Sequence, residues 1–412
     1  MALSADLDPA ESDRRRTGVT AAHGFKVGVA AADVRGEGGE RPDVALIVSE
    51  TPAVAAGVFT RNAVKAAPVV ISRLHIRRGW ARAVVVNSGN ANACTGARGL
   101  GDALQMARAA ADEVDCAPGE VLVASTGVIG RHLPMERILP AIARAGSELS
   151  EDGGAVARAI MTTDTYPKQS SRRLALGGVQ HSLGGAAKGS GMIHPDMATL
   201  LAFVTTDIRV APELARALLA RAVDVSFNRI SVDGDTSTND SCLLLANGAA
   251  GGPEVLAGTG EAALFEQALT EVLRDLAEQI VADGEGASRT FSVTVSGALD
   301  HTQALSAARA VTSSSLVKTA IHGGDPNWGR ILAAVGRSGA ELALDRCRLT
   351  IQGEELFRMG QVVDGAVERV APRLLEPRVS IVIDLGVGEA EVVALGCDLT
   401  ADYVRINADY ST

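Results

Sequence analysis

The chain has 412 residues, of which 47% are hydrophobic, and this is enough apolar material for a large folded core. Acidic residues outnumber basic residues by 49 to 39, and the net charge of -10 disfavours sequence-independent binding to nucleic acid or to an anionic membrane. The segment 1–16 lacks an apolar core of signal-peptide length and no run approaches a membrane span, so we expect a cytoplasmic protein that acts on small molecules.

Short apolar runs bounded by turn residues predict strands, and longer stretches with apolar residues at helical spacing predict helices. These elements alternate, which indicates a mixed α/β architecture. In chain order after the polar tail 1–16, we predict strands at 44–48, 55–59, 69–72 and 83–87, a helix at 100–114, a strand at 121–125, a helix at 133–145, a β-hairpin at 173–188, a strand at 200–204, a helix at 211–225, a strand at 242–246, a helix at 261–281, and strands at 291–296, 348–352, 379–385 and 391–394.

The most informative segment is 188–207, in which a glycine turn precedes Thr199 and a short apolar run. The run predicts a buried strand, so Thr199 lies where a loop enters the core. If the bond between Ala198 and Thr199 were cut, Thr199 would carry both a hydroxyl nucleophile and a free α-amine. Because an α-amine has a reference pKa of about 7.7 to 8.0, it could serve as the general base near neutral pH. A threonine that merely begins a strand remains the structural alternative.

Four other segments are weaker signals. The turn 125–130 follows a predicted strand, and its backbone N–H groups and hydroxyl could face an oxyanion, although ordinary glycine turns have the same composition. The segments 161–165 and 283–287 could hold a polar ligand or could be helix-capping turns. The polar C-terminus 407–412 would usually fray.

Arginine outnumbers lysine by 34 to 5, so Lys188 in a glycine turn suggests a need for a compact ammonium group.

Motifs rich in glycine, aspartate and hydroxyl residues occur along nearly the whole chain. They are GVTAAHGF (18–25), RPDVALIVS (41–49), AAGVFTRNAVKAAPV (55–69), NSGNANACTG (87–96), ASTGVIG (124–130), MTTDTYPK (161–168), NRISVDGDTSTND (228–240), DGEGA (283–287), KTAIHGGDPNWGR (318–330), GCDLT (396–400) and INADYST (406–412). Together with the segment 188–207, they resemble in sequence and order the motifs of the ornithine acetyltransferase family, which are glutamate N-acetyltransferases of arginine biosynthesis.

The resemblance implies a layered α/β sandwich that is formed jointly by two chains after autocatalytic cleavage between Ala198 and Thr199. After the tail, the α chain would span 17–198 and the β chain 199–412, and the two would usually assemble as an α2β2 tetramer. The resemblance also implies site residues: Thr199 as nucleophile, Thr126 and Gly127 as the oxyanion pair, and Thr162, Lys188, Thr199, Glu285, Asn407 and Thr412 as substrate-binding positions. It implies no cofactor and no metal, and it leaves open whether acetyl-CoA is a co-substrate.

The implied mechanism is a double displacement. The Thr199 hydroxyl attacks the acetyl carbonyl of N2-acetylornithine, ornithine leaves, and glutamate then takes the acetyl group from Thr199. Lys188 is our candidate partner for the α-carboxylate that both substrates share. Glu285 would meet either the ornithine side-chain ammonium or the Thr199 amine. A paralogue that uses another acyl donor in a specialised pathway stays open.

Other function classes fit individual features of the sequence. A self-processing aminopeptidase or amidohydrolase would share the nucleophile but pass the acyl group to water. The S-x-x-K pattern at 315–318 would suit a serine acyl-enzyme, but no S-D-N partner accompanies it. The pairs His322/Asp325 and His194/Asp196 are weak metal candidates, and the five widely spaced cysteines lack a C-x-x-C pair, so neither a zinc site nor a disulfide framework is expected. A non-catalytic binding protein would leave the chain intact.

Overall fold

The structure is a computed structural model, and it describes residues 16–194 and 200–409. The predictions that concern Ala198, Thr199, Thr412 and nearly all of the N-terminal tail therefore lie outside the described residues. Within the described ranges, no helix is both long and apolar enough to cross a membrane.

Among the described residues, the larger sheet has eight strands. Its strand order is β4-β3-β2-β9-β7-β6-β5, and β1 pairs with the first half of β2. The strands are β1 (Phe25–Ala30), β2 (Val44–Phe59), β3 (Trp80–Asn87), β4 (Val121–Ser125), β5 (Lys168–Leu176), β6 (Val179–Lys188), β7 (Leu201–Thr206) and β9 (Ser241–Ala246). The helices that cover this sheet are α1 (Ala67–His75), α2 (Gly96–Glu113), α3 (Met135–Ser147), α4 (Gly153–Ala159), α5 (Pro212–Asp224) and α6 (Gly260–Ala282).

The period of two along the strands shows how this sheet is layered. In β3, Val84 and Val86 belong to the same apolar core as Leu201 and Phe203 of β7, so the two halves of the sheet pack face to face. The alternate residues of β3 pack instead against α2 and α3, and those of β7 pack against α5 and α6. The result is helix, sheet, sheet, helix, which confirms the predicted α/β sandwich.

A second sheet has seven strands within the described ranges, most of them from the C-terminal part of the chain. Its order is β13-β12-β11-β14-β10-β15-β8, and its core contains residues of the neighbouring helices. The strands are β8 (Ile230–Ser231), β10 (Thr290–Ala298), β11 (Arg348–Ile351), β12 (Glu354–Arg358), β13 (Gln361–Val362), β14 (Arg378–Asp384) and β15 (Ala390–Cys397). The helices are α7 (His301–Thr312), α8 (Ser315–Gly323), α9 (Trp328–Gly336), α10 (Ala366–Val370) and the C-terminal α11 (Ala401–Asp409).

One local prediction fails at a short apolar run. The strand predicted at 69–72 is wrong, because these residues lie in α1, which Pro68 opens near its N-terminus. Val69 and Ile71 are buried, and the Ser72 hydroxyl donates to the Val123 carbonyl oxygen at 2.7 Å. A short run of apolar residues does not distinguish a strand from one buried turn of helix.

Two predicted strands, at 44–48 and 55–59, are the halves of the single strand β2. Residues 50–52 at its centre are exposed, and the pairing with β3 shifts register between Val48 and Ala53. Pro52 lies in this gap, where no ladder hydrogen bond needs its missing N–H. The hairpin predicted at 173–188 is confirmed as β5 and β6, which turn at Gly177 and Gly178.

Candidate functional site

A cavity of about 340 Å³ lies where strand ends and loops from distant parts of the chain meet. Six of the predicted site residues line it, namely Thr126, Gly127, Thr162, Lys188, Glu285 and Asn407. The structure thus brings together every predicted site residue that it describes. It does so because β4, β6 and α6 all end beside the cavity, and each is followed by a loop that lines it.

The loop after β4 is held against the loop after β3. The Thr126 N–H donates to the Asn87 carbonyl oxygen at 3.0 Å, while the Gly127 N–H has no acceptor among the described residues. Gly127 has a φ of +130°, and a Cβ there would lie 2.3 Å from the Gly89 carbonyl carbon. Only glycine fits this position, so the turn can present a free backbone donor to the cavity.

We expect Gly127→Ala to lower the rate of the predicted acyl transfer by about 100-fold or more, because the new methyl group would clash with Gly89 and displace the N–H that we predict to be an oxyanion donor. Steady-state rates and thermal midpoints would be measured together. Gly101→Ala is the matched control, since Gly101 lies in α2 with open space around its Cα, and alanine favours the helix. A Gly127→Ala enzyme with a normal rate would contradict this role of the turn.

Lys188 ends β6 and is only 4% exposed. Its Nζ donates to Thr126 Oγ1 at 3.2 Å. Burial lowers the pKa of this ammonium group, and the nearby Asp164 carboxylate opposes that shift. Because the Thr126 oxygen accepts from Lys188, the Thr126 hydroxyl hydrogen is free to point at a different acceptor.

A buried ion cluster supports this side of the cavity. Lys168 Nζ lies 2.7 Å from Asp164 Oδ1 and 2.5 Å from Asp283 Oδ2, and the Lys168 side chain is completely buried. Asp164 also accepts from the Thr162 and Gly189 N–H groups, at 2.9 and 2.8 Å. Although burial alone would raise it, the charges of Lys188 and Lys168 lower the pKa of Asp164 to about 2. The cluster therefore joins the Thr162 loop, the turn after Lys188 and the end of α6.

Sequence reasoning did not assign a role to Asp164, Lys168 or Asp283. The scarcity of lysine in the sequence could have indicated this buried cluster. Three of the five lysines are buried, with Lys168 at 0%, Lys188 at 4% and Lys318 at 2% exposure. In a chain where arginine supplies most cations, the remaining lysines mark places where a compact ammonium group must fit inside the fold.

A second part of the cavity wall carries negative charge. Glu285 accepts a hydrogen bond from Asn407 Nδ2 at 2.8 Å, and the Glu285 N–H donates to the Ser190 carbonyl oxygen. Asp233 accepts from the N–H groups of Met192 and Ile193. Asn407 reaches this wall from the C-terminal helix α11, and Tyr403 of the same helix also lines the cavity.

A buried aspartate holds the first described residue after Thr199. The Leu200 N–H donates to Asp240 Oδ1 at 3.1 Å, and the Leu200 carbonyl oxygen accepts from the Ser241 N–H at 3.1 Å. Burial raises the pKa of Asp240 well above the usual range. Since consecutive Cα atoms are about 3.8 Å apart, the predicted nucleophile is one peptide bond from this anchor.

The competing site predictions gain little from the structure. Ser315 is exposed at the start of α8, whereas Lys318 is buried and donates to the Cys397 carbonyl oxygen. His322 Nδ1 lies 3.1 Å from Asp398 Oδ2. In the described ranges, no group of three or more histidine, cysteine or acidic residues is arranged to hold a metal ion.

Comparisons with known proteins agree over nearly the whole chain. Residues 26–412 match the model of the ArgJ family. The arginine biosynthesis bifunctional proteins ArgJ of Symbiobacterium thermophilum and Dehalococcoides mccartyi are 51% and 45% identical to this chain, each over 96% of it, and over 98% and 97% of their own lengths.

Two solved structures align with part of the chain. One is the arginine biosynthesis bifunctional protein ArgJ of Bacillus halodurans, with 40% identity, a TM-score of 0.49, and coverage of 50% of this chain and 98% of that one. The other is the ornithine acetyltransferase of Mycobacterium tuberculosis complexed with ornithine, with 40% identity, a TM-score of 0.41, and coverage of 45% and 97%. On the match of the family model and of the full-length relatives, this chain belongs to the ArgJ family.

Proposed function

We propose that this enzyme of the ArgJ family transfers the acetyl group of N2-acetylornithine to glutamate by way of an acetyl-Thr199 intermediate, after cleavage of the bond between Ala198 and Thr199. The observation that carries the proposal is the cavity in which Thr126, Gly127 and Lys188 converge, beside the anchored Leu200. This arrangement offers donors for an oxyanion next to the chain position of the predicted nucleophile.

The first half-reaction acylates the enzyme. The Thr199 hydroxyl attacks the acetyl carbonyl carbon, and the Thr199 α-amine takes the hydroxyl proton and passes it to the departing ornithine nitrogen. The Gly127 N–H and the Thr126 hydroxyl donate to the oxyanion, and the ammonium group of Lys188 orients the Thr126 hydroxyl and adds positive charge beside it. Collapse of the tetrahedral intermediate breaks the amide bond.

The second half-reaction reverses these steps with a different amine. The neutral α-amine of glutamate attacks acetyl-Thr199, and the same donors hold the oxyanion. The α-amine of Thr199 takes a proton from the attacking glutamate nitrogen and passes it to the Thr199 oxygen as that oxygen leaves. Lys188 can hold the α-carboxylate that ornithine and glutamate share, because an ammonium group has three donor positions. Acetylated threonine must also be kept from water, or the enzyme would be a hydrolase.

We expect Lys188→Met to lower kcat/KM for acetylornithine by about 100- to 1,000-fold, because it removes both a carboxylate partner and the cation that orients Thr126. The split between kcat and KM is informative, since a loss confined to KM would assign Lys188 to substrate binding alone. Lys26→Met is the control, because Lys26 is a half-exposed surface residue that pairs with Glu50. Normal kinetics in Lys188→Met would contradict the proposed role.

The shared sheet explains how two fragments would remain together after cleavage. Strands β7 and β9 come from the proposed β chain, and they lie between β2 and β6 of the proposed α chain. The fragments would thus be joined by the β2–β9 and β6–β7 ladders, each of six residue pairs. Separation would expose one edge each of β2, β9, β6 and β7, so a stable pair of chains follows. The α2β2 assembly and a cytoplasmic location are part of the proposal.

The test is to incubate purified protein with acetylornithine and glutamate, and separately with acetyl-CoA and glutamate, while following N-acetylglutamate formation. Intact-mass spectrometry of the same sample should show two fragments divided at Ala198–Thr199, with the C-terminal fragment acetylated when the donor is present without an acceptor. Release of acetate to water with no transfer would favour the self-processing amidohydrolase. An active sample that contains only the uncut chain would overturn the proposal.

A further inference from the structure

Asn239 and Asp240 are adjacent residues whose side chains hold two different parts of the candidate site. They directly precede β9. Asp240 Oδ1 accepts from the Leu200 N–H at 3.1 Å. Asn239 Nδ2 donates to the carbonyl oxygens of Ala91 and Ser125, at 2.6 and 2.8 Å. The two side chains thus contact one residue next to the predicted nucleophile and one residue next to the predicted oxyanion pair.

The contacts of the Asn239 amide depend on its hydrogen-bonding pattern. The Nδ2 group has two N–H donors and meets two carbonyl oxygens, while Oδ1 accepts from the Thr238 hydroxyl at 2.6 Å. The side chain is only 6% exposed. Because both donors are used inside the protein, neither a carboxylate nor an apolar side chain of similar size could make the same contacts.

The two carbonyl oxygens that Asn239 holds belong to the turn after β4 and to its neighbour. Ser125 is the last residue of β4 and shares a peptide bond with Thr126. The Ala91 N–H donates to the Val128 carbonyl oxygen at 2.9 Å, so Ala91 is itself joined to this turn. Asn239 therefore fixes the turn directly through Ser125 and indirectly through Ala91.

The segment that carries both residues is fixed to the larger sheet. The Thr60 N–H donates to the Asp240 carbonyl oxygen at 3.0 Å, and the Thr60 hydroxyl donates to the Ser237 carbonyl oxygen at 2.8 Å. Thr60 directly follows β2, and β9 lies between β2 and β7. Since this backbone is held in place, the side chains that it carries can set the distance between other groups.

We propose that Asn239 and Asp240 are positioning residues that together fix the turn 125–130, with its predicted oxyanion donors, relative to the predicted nucleophile. This inference rests on the proposed function. The nucleophilic oxygen must approach the carbonyl carbon while the donors meet the carbonyl oxygen, and an error of about 1 Å in such an arrangement can lower the rate about 100-fold. Two consecutive residues leave few torsions through which this distance can change.

The first experiment compares Asn239→Leu with the wild-type enzyme. Leucine has a similar size but cannot donate to the two carbonyl oxygens. We therefore expect kcat for transfer from acetylornithine to glutamate to fall about 100-fold, with KM changed by less than about threefold. Rates are expressed per mole of the 199–412 fragment. A normal kcat, or a loss confined to KM, would overturn the inference.

Asn247→Leu is the matched control for lost stability. Asn247 directly follows β9, and its Nδ2 donates to the His23 carbonyl oxygen at 2.9 Å, so this variant also loses an amide contact between distant segments. Asn247 is not among the described residues that line the cavity, so kcat should stay within about twofold of the wild-type value even where the thermal midpoint falls. Equal losses of kcat in the two variants would assign the effect to destabilisation and contradict the positioning role.

Asn239→Asp keeps the shape of the side chain and makes its donor dependent on pH. An ionised carboxylate offers the two carbonyl oxygens no donor, whereas a protonated one can donate its O–H to one of them. Burial favours the protonated form, as would a negative charge on Asp240, and Lys188 of the same cavity opposes both. The ratio of variant to wild-type kcat should therefore rise about tenfold between about pH 9 and pH 6. A constant ratio would overturn the inference even if Asn239→Leu does not fold or does not cut itself.

The Asp240 contact is tested by a pair of variants of similar size. Asp240→Asn keeps an oxygen that can accept from the Leu200 N–H, and Asp240→Leu does not. We expect kcat of Asp240→Leu to be lower than that of Asp240→Asn by about tenfold or more. Equal kcat values in the two variants would mean that the Leu200 contact does not position the nucleophile, which contradicts the inference.

Fragment formation and acetyl transfer by the wild-type enzyme are measured on the same preparations, so that the two proposals fail separately. Wild-type protein that neither cuts itself nor transfers acetyl groups overturns the proposed function. Active wild-type enzyme, together with a normal kcat in Asn239→Leu and a constant ratio in Asn239→Asp, overturns the positioning role alone.

Discussion

Thr199→Ala is expected to leave the chain at its full length of 412 residues and to abolish acetyl transfer. The substitution removes the hydroxyl that would attack both the preceding peptide bond and the acetyl carbonyl, so neither the cleavage nor the acyl-enzyme has a nucleophile. We expect transfer to fall by about 10,000-fold or more, and denaturing gels with intact-mass spectrometry would follow the chain length.

Two other threonine variants separate chemistry from folding. Thr199→Ser keeps a hydroxyl and, after cleavage, an α-amine, so it should cut itself and transfer acetyl groups at a reduced rate. Thr302→Ala changes an exposed residue in the first turn of α7 and should behave as the wild type does. If Thr199→Ala still produced two fragments or turned over acetylornithine, another residue would have to be the nucleophile.

Lys168→Met is expected to lower the free energy of unfolding by about 3 to 5 kcal/mol, because it leaves the buried carboxylates of Asp164 and Asp283 without their shared cation. Urea unfolding would measure the loss. Lys26→Met is the matched control, since the Lys26–Glu50 pair is half exposed and should contribute less than about 1 kcal/mol. Similar losses in the two variants would mean that the buried cluster contributes no more than a surface pair.

The acid dependence of stability provides a second measurement of this cluster. The pKa of Asp164 is lowered from 3.8 to about 2 in the folded chain. A lowered carboxyl pKa contributes stability that is fully present above about pH 3.8 and is lost as the pH falls toward 2. In Lys168→Met this part of the acid transition should shrink, because one of the two cations that hold Asp164 ionised is gone. An unchanged acid profile would assign the effect to Lys188 alone.

Local sequence features predicted the elements whose residues interact mainly with their chain neighbours. The hairpin at 173–188 turns at consecutive glycines, and the long helix predicted at 261–281 appears as α6 (Gly260–Ala282), with the Thr259 side chain capping its first turn. The family resemblance, carried by motifs, indicated Thr126, Gly127, Thr162, Lys188, Glu285 and Asn407, and the structure places these six around one cavity.

The sequence by itself determined the mixed α/β architecture, because runs with a period of two alternate with runs with a period of 3.6, and it determined which motifs the chain carries. The layered sandwich was implied by the family resemblance of those motifs. Only the tertiary structure decided which charges meet. Lys168 pairs with Asp283 across 115 positions, and Glu285 accepts a hydrogen bond from Asn407 across 122 positions. Electrostatic partners depend on separation in space and on burial, and the folded chain sets both through the packing of elements far apart in sequence.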